Sequence, residues 1–357
     1  MPEEGNALSR QRSSGSLAHV AQAAGVSIAT ASRVLNGSDH PVSDATRARV
    51  LEAARELGYS PSALARALVT RRSRIIGVMV GDIQDAYFAE ITRGVEDVAG
   101  RAGYMTIVCN ADRRTEVELA QLGVLCDYHA EGVVFAGSGH IDDPQGPELG
   151  RAVERARERG IRVLALATRD FDCPHIVADN RSAAYDITDY VLSLGHRQIA
   201  FIAGPPGLYA SSDRLDGYRE AMRDADAEPH VVEGDFSYER GYAATLQMIA
   251  EAAPPEAIVG ANDETAVGAL AALRQARVEV PARMSVAGMT DTRLARFSDM
   301  TTVSVPMYQF GAAAARRIVV GEESQPETVL PHRVVPRSTT ARRQTPARAT
   351  SSPRSSA

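Results

Sequence analysis

The stretch SLAHVAQAAGVSIATASRVLNG, residues 16–37, constrains this chain most, because it predicts two short helices separated by a tight turn. Ser16 can cap the first helix, whose apolar residues recur at the i, i+3, i+4, i+7 spacing of an amphipathic helix. Gly25 ends it, since a residue without a Cβ atom adopts the left-handed conformation readily. Ser27 can cap the second helix, whose outer side is small and polar and carries Arg33. Such a helix start fits a DNA major groove, although an ordinary helical hairpin has the same spacing.

A third amphipathic helix and a basic segment come next. Residues 43–58 predict a capped helix that ends at a glycine. Residues 61–74, PSALARALVTRRSR, carry four arginines around Leu64 and Leu68, which lie four positions apart. A helix of this kind can wedge leucines into a minor groove. The same residues also fit a solvated linker between two domains.

The rest of the chain predicts an alternating array of strands and helices. Nearly continuous apolar segments predict strands at 75–80, 104–109, 132–137, 161–167, 198–204, 257–261 and 284–289. Helical segments separate them, including 87–102, 180–194, 211–226, 237–252, 263–276 and 307–320. Alternation of this kind is typical of parallel sheets covered on both faces. We therefore predict two doubly wound subdomains with crossovers near 175–180 and 290–325, and a ligand cleft at the carboxyl ends of the strands.

The charge of the chain is divided unevenly. The formal net charge is -6, yet residues 1–74 carry ten arginines and six acids, and residues 333–357 carry six arginines and no acid. Residues 75–332 therefore have a net charge of -16. Because an acidic body is repelled by DNA phosphates, the basic N-terminal part must bind the DNA. The chain has no lysine, which excludes Schiff-base chemistry.

The sequence contains no recognisable catalytic or metal-binding pattern. It has no GxGxxG at a strand end, no P-loop, no GxSxG and no HExxH, so we expect neither an enzyme nor a cofactor. Cys109, Cys126 and Cys173 are widely spaced, which argues for a reducing compartment and against zinc. No apolar segment has the length of a membrane span, and the first 16 residues lack the apolar core of a signal peptide. We therefore expect a cytoplasmic protein without a membrane partner.

Taken in order, these motifs resemble the LacI/GalR family of bacterial transcription regulators. The resemblance rests on AGVS-IATASRVLNG, on VSDATRARVLEAARELGYSPSALARAL and on the strand IIGVMV, and extends from about Leu17 to Pro336. It implies a small all-α helix-turn-helix headpiece and an α/β body like periplasmic binding proteins, with two doubly wound parallel-sheet subdomains. The implied division is a disordered tail at 1–15, a headpiece at 16–60, a hinge helix and linker at 61–74, an effector-binding and dimerisation body at 75–336, and a disordered basic tail at 337–357.

The resemblance also implies which residues contact DNA. Ile28 and Ala29 would read bases, and Leu68 would intercalate at the centre of the operator from a hinge that becomes helical only there. Two positions depart from the family: Ala31 stands where a valine usually packs the two helices, and Val69 stands where some members carry a lysine. The predicted contact residues are Ser27, Ile28, Ala29, Thr30, Ser32, Arg33, Asn36, Ser62, Ala63 and Leu68.

Residues after the strand ends are candidates for effector binding. Tyr87 and Phe88 follow the first strand, where aromatic rings can stack on a sugar or base, or pack in the core. Arg214 opens a helix, where a cation is unfavourable, so a ligand or ion pair explains it better. Asn262 and Asp263 end a strand and can equally cap the next helix. By resemblance, the effector pocket would involve Asp82, Tyr87, Phe88, Asn110, Ser138, Arg214, Phe236, Asn262, Asp263 and Asp291.

Two departures bear on the effector. Thr290 and Asp291 stand where the family commonly has two aspartates, and Ala167 and Thr168 stand where it often has Asp-Arg. Since such carboxylates usually grip sugar hydroxyls, the ligand is a less typical one or the pocket is degenerate. The predicted function is a homodimeric repressor of a palindromic operator, controlled by a small molecule such as a sugar. The alternatives are control by a protein partner with an idle pocket, and a solute-binding protein, which the headpiece disfavours.

Overall fold

The structure, a computed structural model, describes residues 16–36, 40–60, 73–321 and 328–343. It consists of two compact units, a helical headpiece and an α/β body, divided between Ser73 and Arg74. The predicted hinge contacts at Ser62, Ala63 and Leu68 lie outside the described residues, as do the predicted tail 1–15 and residues 344–357 of the predicted tail 337–357.

The headpiece contains three helices, α1 (Leu17–Ala24), α2 (Ile28–Leu35) and α3 (Asp44–Glu56). Each begins after a serine that accepts a hydrogen bond from a backbone amide of the first turn, as the sequence predicts: Ser16, Ser27 and Ser43. Gly25 has a φ of 64°, the left-handed conformation expected at the end of α1.

The headpiece core consists mainly of small apolar side chains. Ala31, at the position where the family usually has a valine, is fully buried between the helices. The helices therefore pack around an alanine at this contact, which is smaller than the family's valine. Its buried members are Val20, Ala21, Ala24, Ala31, Val34, Val50, Ala53 and Ala54.

The body begins with one four-stranded parallel sheet, formed by β1 (Ile75–Val80), β2 (Met105–Asn110), β3 (Gly132–Phe135) and β4 (Arg162–Ala165). The strand order is β2-β1-β3-β4. The helices that follow β1, β2 and β3 are α4 (Ala86–Arg101), α5 (Thr115–Asp127) and α6 (Gly146–Glu158). Every residue of β1 and β3 is buried, as expected for a sheet covered on both faces. We call this half the N-terminal lobe.

The second sheet is formed by β6 (Ile199–Ile202), β7 (His230–Val232), β8 (Ala257–Gly260) and β9 (Ser285–Ala287), in the order β7-β6-β8-β9. Its helices are α7 (Asn180–Ser193), α8 (Tyr209–Asp224), α9 (Tyr238–Ile249), α10 (Asp263–Gln275) and α11 (Arg293–Phe297). This half is the C-terminal lobe. The predicted pair of doubly wound subdomains is confirmed.

Short strands connect the two lobes. They are β5 (Ile176–Ala178), β10 (Thr302–Ser304), β11 (Thr328–Leu330) and β12 (Arg333–Val335). β5 pairs with β11, and β10 pairs with β12. The chain therefore passes between the lobes three times, once more than the sequence predicted. Between β10 and β11, helix α12 (Met307–Val320) packs against α4 of the N-terminal lobe through Gly94 and Gly311.

The prediction of a disordered tail from residue 337 is wrong for residues 337–343. The backbone of Thr339 accepts a hydrogen bond from the Val286 amide in β9 at 2.8 Å, which extends the pairing at that edge of the sheet. Its hydroxyl donates to the Val286 carbonyl at 2.7 Å, and Arg337 forms an ion pair with Asp291 at 2.6 Å. The composition suggested a solvated tail, but these polar side chains find buried partners in the C-terminal lobe.

Candidate DNA-contacting helix and effector cavity

Helix α2 presents the predicted contact residues on its outer side. Ile28 is 55% exposed in the first turn, and Ala29 and Arg33 are exposed beside it. Ala31 and Val34, on the opposite side, are buried in the headpiece core. The face therefore combines one apolar side chain, which can contact a thymine methyl group, with one guanidinium, which can contact a guanine or a phosphate.

The polar members of this face are held by hydrogen bonds within α2. The Ser27 and Thr30 hydroxyls lie 2.8 Å apart, and the Thr30 amide donates to the Ser27 hydroxyl at 3.1 Å. At the other end, the Asn36 side-chain amide donates to the Ser32 hydroxyl at 3.1 Å. These side chains are thus ordered before they meet any partner.

The body contains a cavity at the carboxyl ends of the strands of both sheets, where the fold predicts a ligand. Including its opening to solvent, it encloses about 730 Å³. Six of the ten predicted effector residues line it: Tyr87, Phe88, Ser138, Arg214, Phe236 and Asn262. The lining residues that the sequence analysis missed include Asp85, Arg113, Glu118, Asn180, Leu166 and Leu208. Thr290, which it noted only as a departure from the family, also lines the cavity.

Arg214 lies buried in the cavity wall. Its Nε donates to the Asn180 side-chain carbonyl at 2.9 Å, and its Nη1 donates to the Ala261 carbonyl at 2.6 Å. The guanidinium carbon lies 5.6 Å from the centre of the Phe236 ring. Burial lowers the pKa of Arg214, while the nearby Tyr87 and the carboxylates around it raise it. The cation is therefore oriented by neutral acceptors and stabilised by charges at longer range.

Phe236 forms one wall in a conformation that needs support. Its φ is 73°, in the left-handed region that residues other than glycine rarely adopt. The Asn262 side chain donates to the Phe236 carbonyl at 2.9 Å and accepts from the Thr265 amide at 2.9 Å. Asn262 therefore caps α10 and also supports the wall, while its contact with a ligand stays a prediction. Gly204 leaves room for the ring, since a Cβ there would lie 2.3 Å from it.

Asp85 supplies a carboxylate that the sequence analysis did not assign to the site. It caps α4 by accepting from the Tyr87 amide at 2.9 Å, and its other oxygen lies 3.7 Å from Arg113. Burial raises the pKa of Asp85, while the Tyr87 amide and Arg113 lower it. The Arg113 guanidinium also lies 5.8 Å from the Phe236 ring centre. An aspartate before a helix can be recognised as a cap, but nothing local indicates that Arg113 faces it.

Arg169 and Glu118 form a buried ion pair beside the cavity. Arg169 donates two hydrogen bonds to the Glu118 carboxylate, at 2.6 and 2.8 Å. Its guanidinium lies over Phe135 and Phe171, 4.9 and 5.6 Å from the ring centres. Glu118 lines the cavity and Arg169 does not, so Arg169 acts on the cavity only through Glu118.

Four predicted effector residues do not line the cavity, and two of them hold the loop after β1. Asp82 accepts from the Gln84 amide at 2.9 Å. Asn110 accepts from the Ile83 amide at 2.9 Å. Their side chains form hydrogen bonds within the loop and do not line the cavity, so their contact with a ligand stays a prediction that the cavity lining does not support.

The other two are Asp263 and Asp291. Asp263 is 1% exposed and accepts hydrogen bonds from the Thr290, Thr292 and Thr302 hydroxyls at 3.1, 2.9 and 2.7 Å, and from the Thr292 amide at 2.7 Å. Burial raises its pKa to about 6, although all four donors lower it. Asp291 forms an ion pair with Arg337 of segment 337–343. Both acids therefore position the wall without forming it.

The described ranges hold no group of three or more histidine, cysteine, aspartate or glutamate side chains placed to bind a metal. Among the helices of those ranges, none has the length and apolar character needed to cross a bilayer.

Known sequences and structures match both units. Residues 16–62 match the model of the bacterial regulatory proteins of the lacI family, and residues 188–340 match a periplasmic binding protein-like domain. The regulator RegA of Clostridium saccharobutylicum is 35% identical over 91% of this chain and 99% of its own. Catabolite control protein A of Priestia megaterium is 31% identical over 88% and 96%, and the repressor CytR of Escherichia coli K12 is 32% identical over 85% and 89%.

Solved structures agree over most of the chain. A lac repressor dimer bound to operator and the anti-inducer ONPF superposes with a TM-score of 0.81 at 26% identity, covering 92% of this chain and 99% of that one. The transcriptional regulator CelR in complex with cellobiose superposes with a TM-score of 0.65 at 30% identity, covering 91% and 99%.

An exposed helix for DNA and a cleft between two α/β lobes define a ligand-responsive, DNA-binding transcriptional regulator. The chain belongs to the lacI family of bacterial regulatory proteins. The relatives above are named as regulators and repressors of transcription, not as enzymes.

Proposed function

We propose that this regulator is a cytoplasmic, homodimeric repressor of a palindromic operator, and that a sugar or related metabolite in the cavity controls its DNA affinity. The headpiece at 16–60 binds DNA, the segment 61–74 forms the hinge, and the body extends from 75 through at least 343. In this arrangement, ligand binding changes the relation between the lobes and thereby the spacing of the two hinges.

The side chains that line the cavity support a sugar as the ligand. Asp85 offers a carboxylate that accepts hydrogen bonds from hydroxyl groups, and Arg214 offers a guanidinium that donates to them. Tyr87, Phe88 and Phe236 provide rings on which the apolar face of a sugar can stack. The relatives' ligands support the same class, since the CelR complex contains cellobiose. Asp85 also compensates for the aspartate missing at position 290, which favours a working pocket over an idle one.

The proposed dimer uses the exposed edge of the N-terminal lobe. Strand β2 lies at the edge of its sheet, and Met105 and Val108 are 56% and 38% exposed. On the following helix α5, Val124 is 53% exposed, and Tyr128 just beyond the helix is 52% exposed. Apolar side chains at an open sheet edge favour association with another chain. Two copies joined here would carry two headpieces, which a palindromic operator requires, and the similar lac repressor structure is a dimer bound to operator.

Selection of duplexes from a random library by the full-length protein tests the DNA-binding part. We expect a palindromic consensus and a stoichiometry of two chains per duplex. Titration of a panel of neutral sugars against the selected duplex then tests control by ligand. A sugar that changes the dissociation constant by fivefold or more supports the proposal. A protein that binds its operator but responds to no sugar would instead have an idle pocket, consistent with control by a protein partner.

A Val124→Asp variant tests the dimer separately. We expect it to sediment as a monomer and to bind the selected duplex at least tenfold more weakly, because a buried carboxylate opposes association. A variant that remains dimeric would place the interface elsewhere.

A further inference from the structure

Arg74, the first residue of the body, is fixed at both of its backbone polar groups. Its amide donates to a carboxylate oxygen of Glu131 at 2.9 Å, and its carbonyl accepts from the Met105 amide at 2.8 Å. Its φ is 54°, in the left-handed region that residues other than glycine rarely adopt. Because such a conformation persists only where its surroundings enforce it, these contacts set the direction in which the chain leaves β1 towards the predicted hinge.

Glu131 connects the starts of three neighbouring strands, β2, β1 and β3. It directly precedes β3, and its backbone amide donates to the Ile75 carbonyl in β1 at 2.8 Å. Its second carboxylate oxygen accepts from the hydroxyl of Tyr104, directly before β2, at 2.9 Å. Both carboxylate oxygens are therefore used, one for Arg74 and one for Tyr104. We call these two side-chain hydrogen bonds the Glu131 bridge.

Two of the three strands run from the Glu131 bridge to the cavity. Gly81 follows β1 and residues 136–138 follow β3, and all of them line the cavity. Every residue of both strands is buried in a close-packed lobe, so the strands move with their sheet as one rigid unit. A shift of the N-terminal lobe on ligand binding would therefore reach Arg74 directly through the sheet.

The C-terminal lobe contains a matching arrangement that leads to no hinge. Glu256 directly precedes β8, as Glu131 precedes β3, and its carboxylate accepts from the Arg197 amide at 2.9 Å, two residues before β6. Its backbone amide donates to the Gln198 carbonyl at 2.7 Å. Arg197, however, follows α7 of the same lobe. The two glutamates thus make the same local contacts, and only Glu131 acts on a residue next to the hinge.

We propose that Glu131 is a positioning residue for operator binding, because the Glu131 bridge transmits the position of the N-terminal lobe to the hinge. Without the bridge, the backbone at Arg74 is free to leave its left-handed conformation, and operator binding must then supply the entropy cost of ordering it. A ligand that moves the lobe would also act on the hinge less effectively. The inference rests on the proposed function, because it names the residue through which control by the cavity leaves the body.

Glu131→Ala in the full-length protein tests this role. We expect the selected operator to bind about fivefold or more weakly, a typical coupling between distant sites, and the sugar-induced change in the operator dissociation constant to shrink. Sugar affinity, measured by calorimetry, should stay unchanged, because the cavity lies at the other end of the strands. Fluorescence anisotropy with and without the effective sugar measures both operator effects. An operator affinity and a sugar response equal to those of the wild type overturn the inference.

Two milder variants separate the bridge from the charge of Glu131. Glu131→Gln removes the charge but keeps an oxygen that can accept from Arg74 and an amide group that can donate to Tyr104, so it should bind operator nearly as the wild type does. A Gln variant as weak as Glu131→Ala would assign the effect to charge and contradict the inference. Tyr104→Phe removes the hydroxyl that supports the carboxylate and should weaken operator binding by a smaller factor. Should Glu131→Ala fail to fold, unaltered operator binding by Tyr104→Phe would overturn the inference.

Glu256→Ala is the matched control. Glu256 also uses both carboxylate oxygens, one for the Arg197 amide and one for the Arg343 guanidinium. We expect it to lower the melting temperature as Glu131→Ala does, while leaving operator affinity and sugar response unchanged. Equal losses of operator binding in both variants would reflect general destabilisation and count against the inference. If no sugar alters operator binding by the wild type, control by sugar fails as a function, whereas the operator affinities of the variants still test Glu131.

Discussion

The carboxylate of Asp263 accepts a hydrogen bond from the Thr302 hydroxyl at 2.7 Å, which joins the start of α10 to the connecting strand β10. The other oxygen of Asp263 binds Thr290, which lines the cavity. One buried side chain therefore touches both the cavity wall and a segment that links the lobes. If ligand binding moved the cavity wall, the Asp263 carboxylate would transmit that movement to β10.

Asp263→Asn should change the pH dependence of stability. Because the pKa of Asp263 is raised to about 6 in the folded protein, the folded state holds its proton while the unfolded chain loses it near pH 4. The free energy of unfolding of the wild type, relative to the variant, should therefore decrease as pH rises from about 4 to about 6 and stay constant above. Denaturant unfolding at a series of pH values checks this, and a pH-independent difference would contradict the raised pKa.

Arg214→Met should impair both ligand binding and stability. The substitution leaves the Asn180 and Ala261 oxygens without their donor, which costs about 1–3 kcal/mol, and removes the guanidinium that holds ligand hydroxyls. We expect loss of the thermal shift given by the effective sugar. Arg181→Met is the control, because its ion pair with Glu220 is exposed to solvent and therefore weak. A retained thermal shift in Arg214→Met would assign Arg214 a structural role only.

Gly311→Ala should destabilise the body. A Cβ at this position of α12 would lie 1.9 Å from the Ile91 carbonyl oxygen of α4, so the helices must separate, at a cost of about 1–3 kcal/mol. Gly100→Ala in α4 has open space around its Cβ and should be neutral or stabilising by about 0.5 kcal/mol. Denaturant melts of both variants compare the two helix positions directly. Equal stability would mean that the helix pair adjusts freely.

Arg33→Ala should weaken binding of the selected operator while leaving sugar binding intact, because Arg33 lies on the exposed face of α2 and far in sequence from the body. If Arg33 contacts a base, the loss should be about 1–3 kcal/mol for the operator and smaller for random DNA. Fluorescence anisotropy with both duplexes measures this. Equal losses would show that Arg33 contacts phosphate. Arg55→Ala, whose side chain pairs with Glu52 on α3, serves as the control.

The amino-acid sequence by itself determined the local structure and the family. Serine caps, the glycine after α1 and the two hydrophobic periodicities are properties of neighbouring residues, so the three headpiece helices and the alternating strands follow from short windows of sequence. The outer face of α2 was also predictable, because burial of Ala31 and Val34 leaves Ile28 and Arg33 on the other side. Tyr87 and Phe88, which line the cavity, followed from their position after the first strand.

Only the tertiary structure decided which charges face the cavity. Asp85 and Asp263 both stand at helix starts, and the sequence around them gives no reason to place the first in the cavity wall and the second behind it. That difference arises from partners far along the chain, Arg113 for Asp85 and Thr302 for Asp263. Pairing between distant residues depends on how the lobes pack, and a local pattern contains no information about it. The ordered segment 337–343 escaped prediction for the same reason, since the burial of Thr339 and its hydrogen bonds arise only from contacts with the C-terminal lobe.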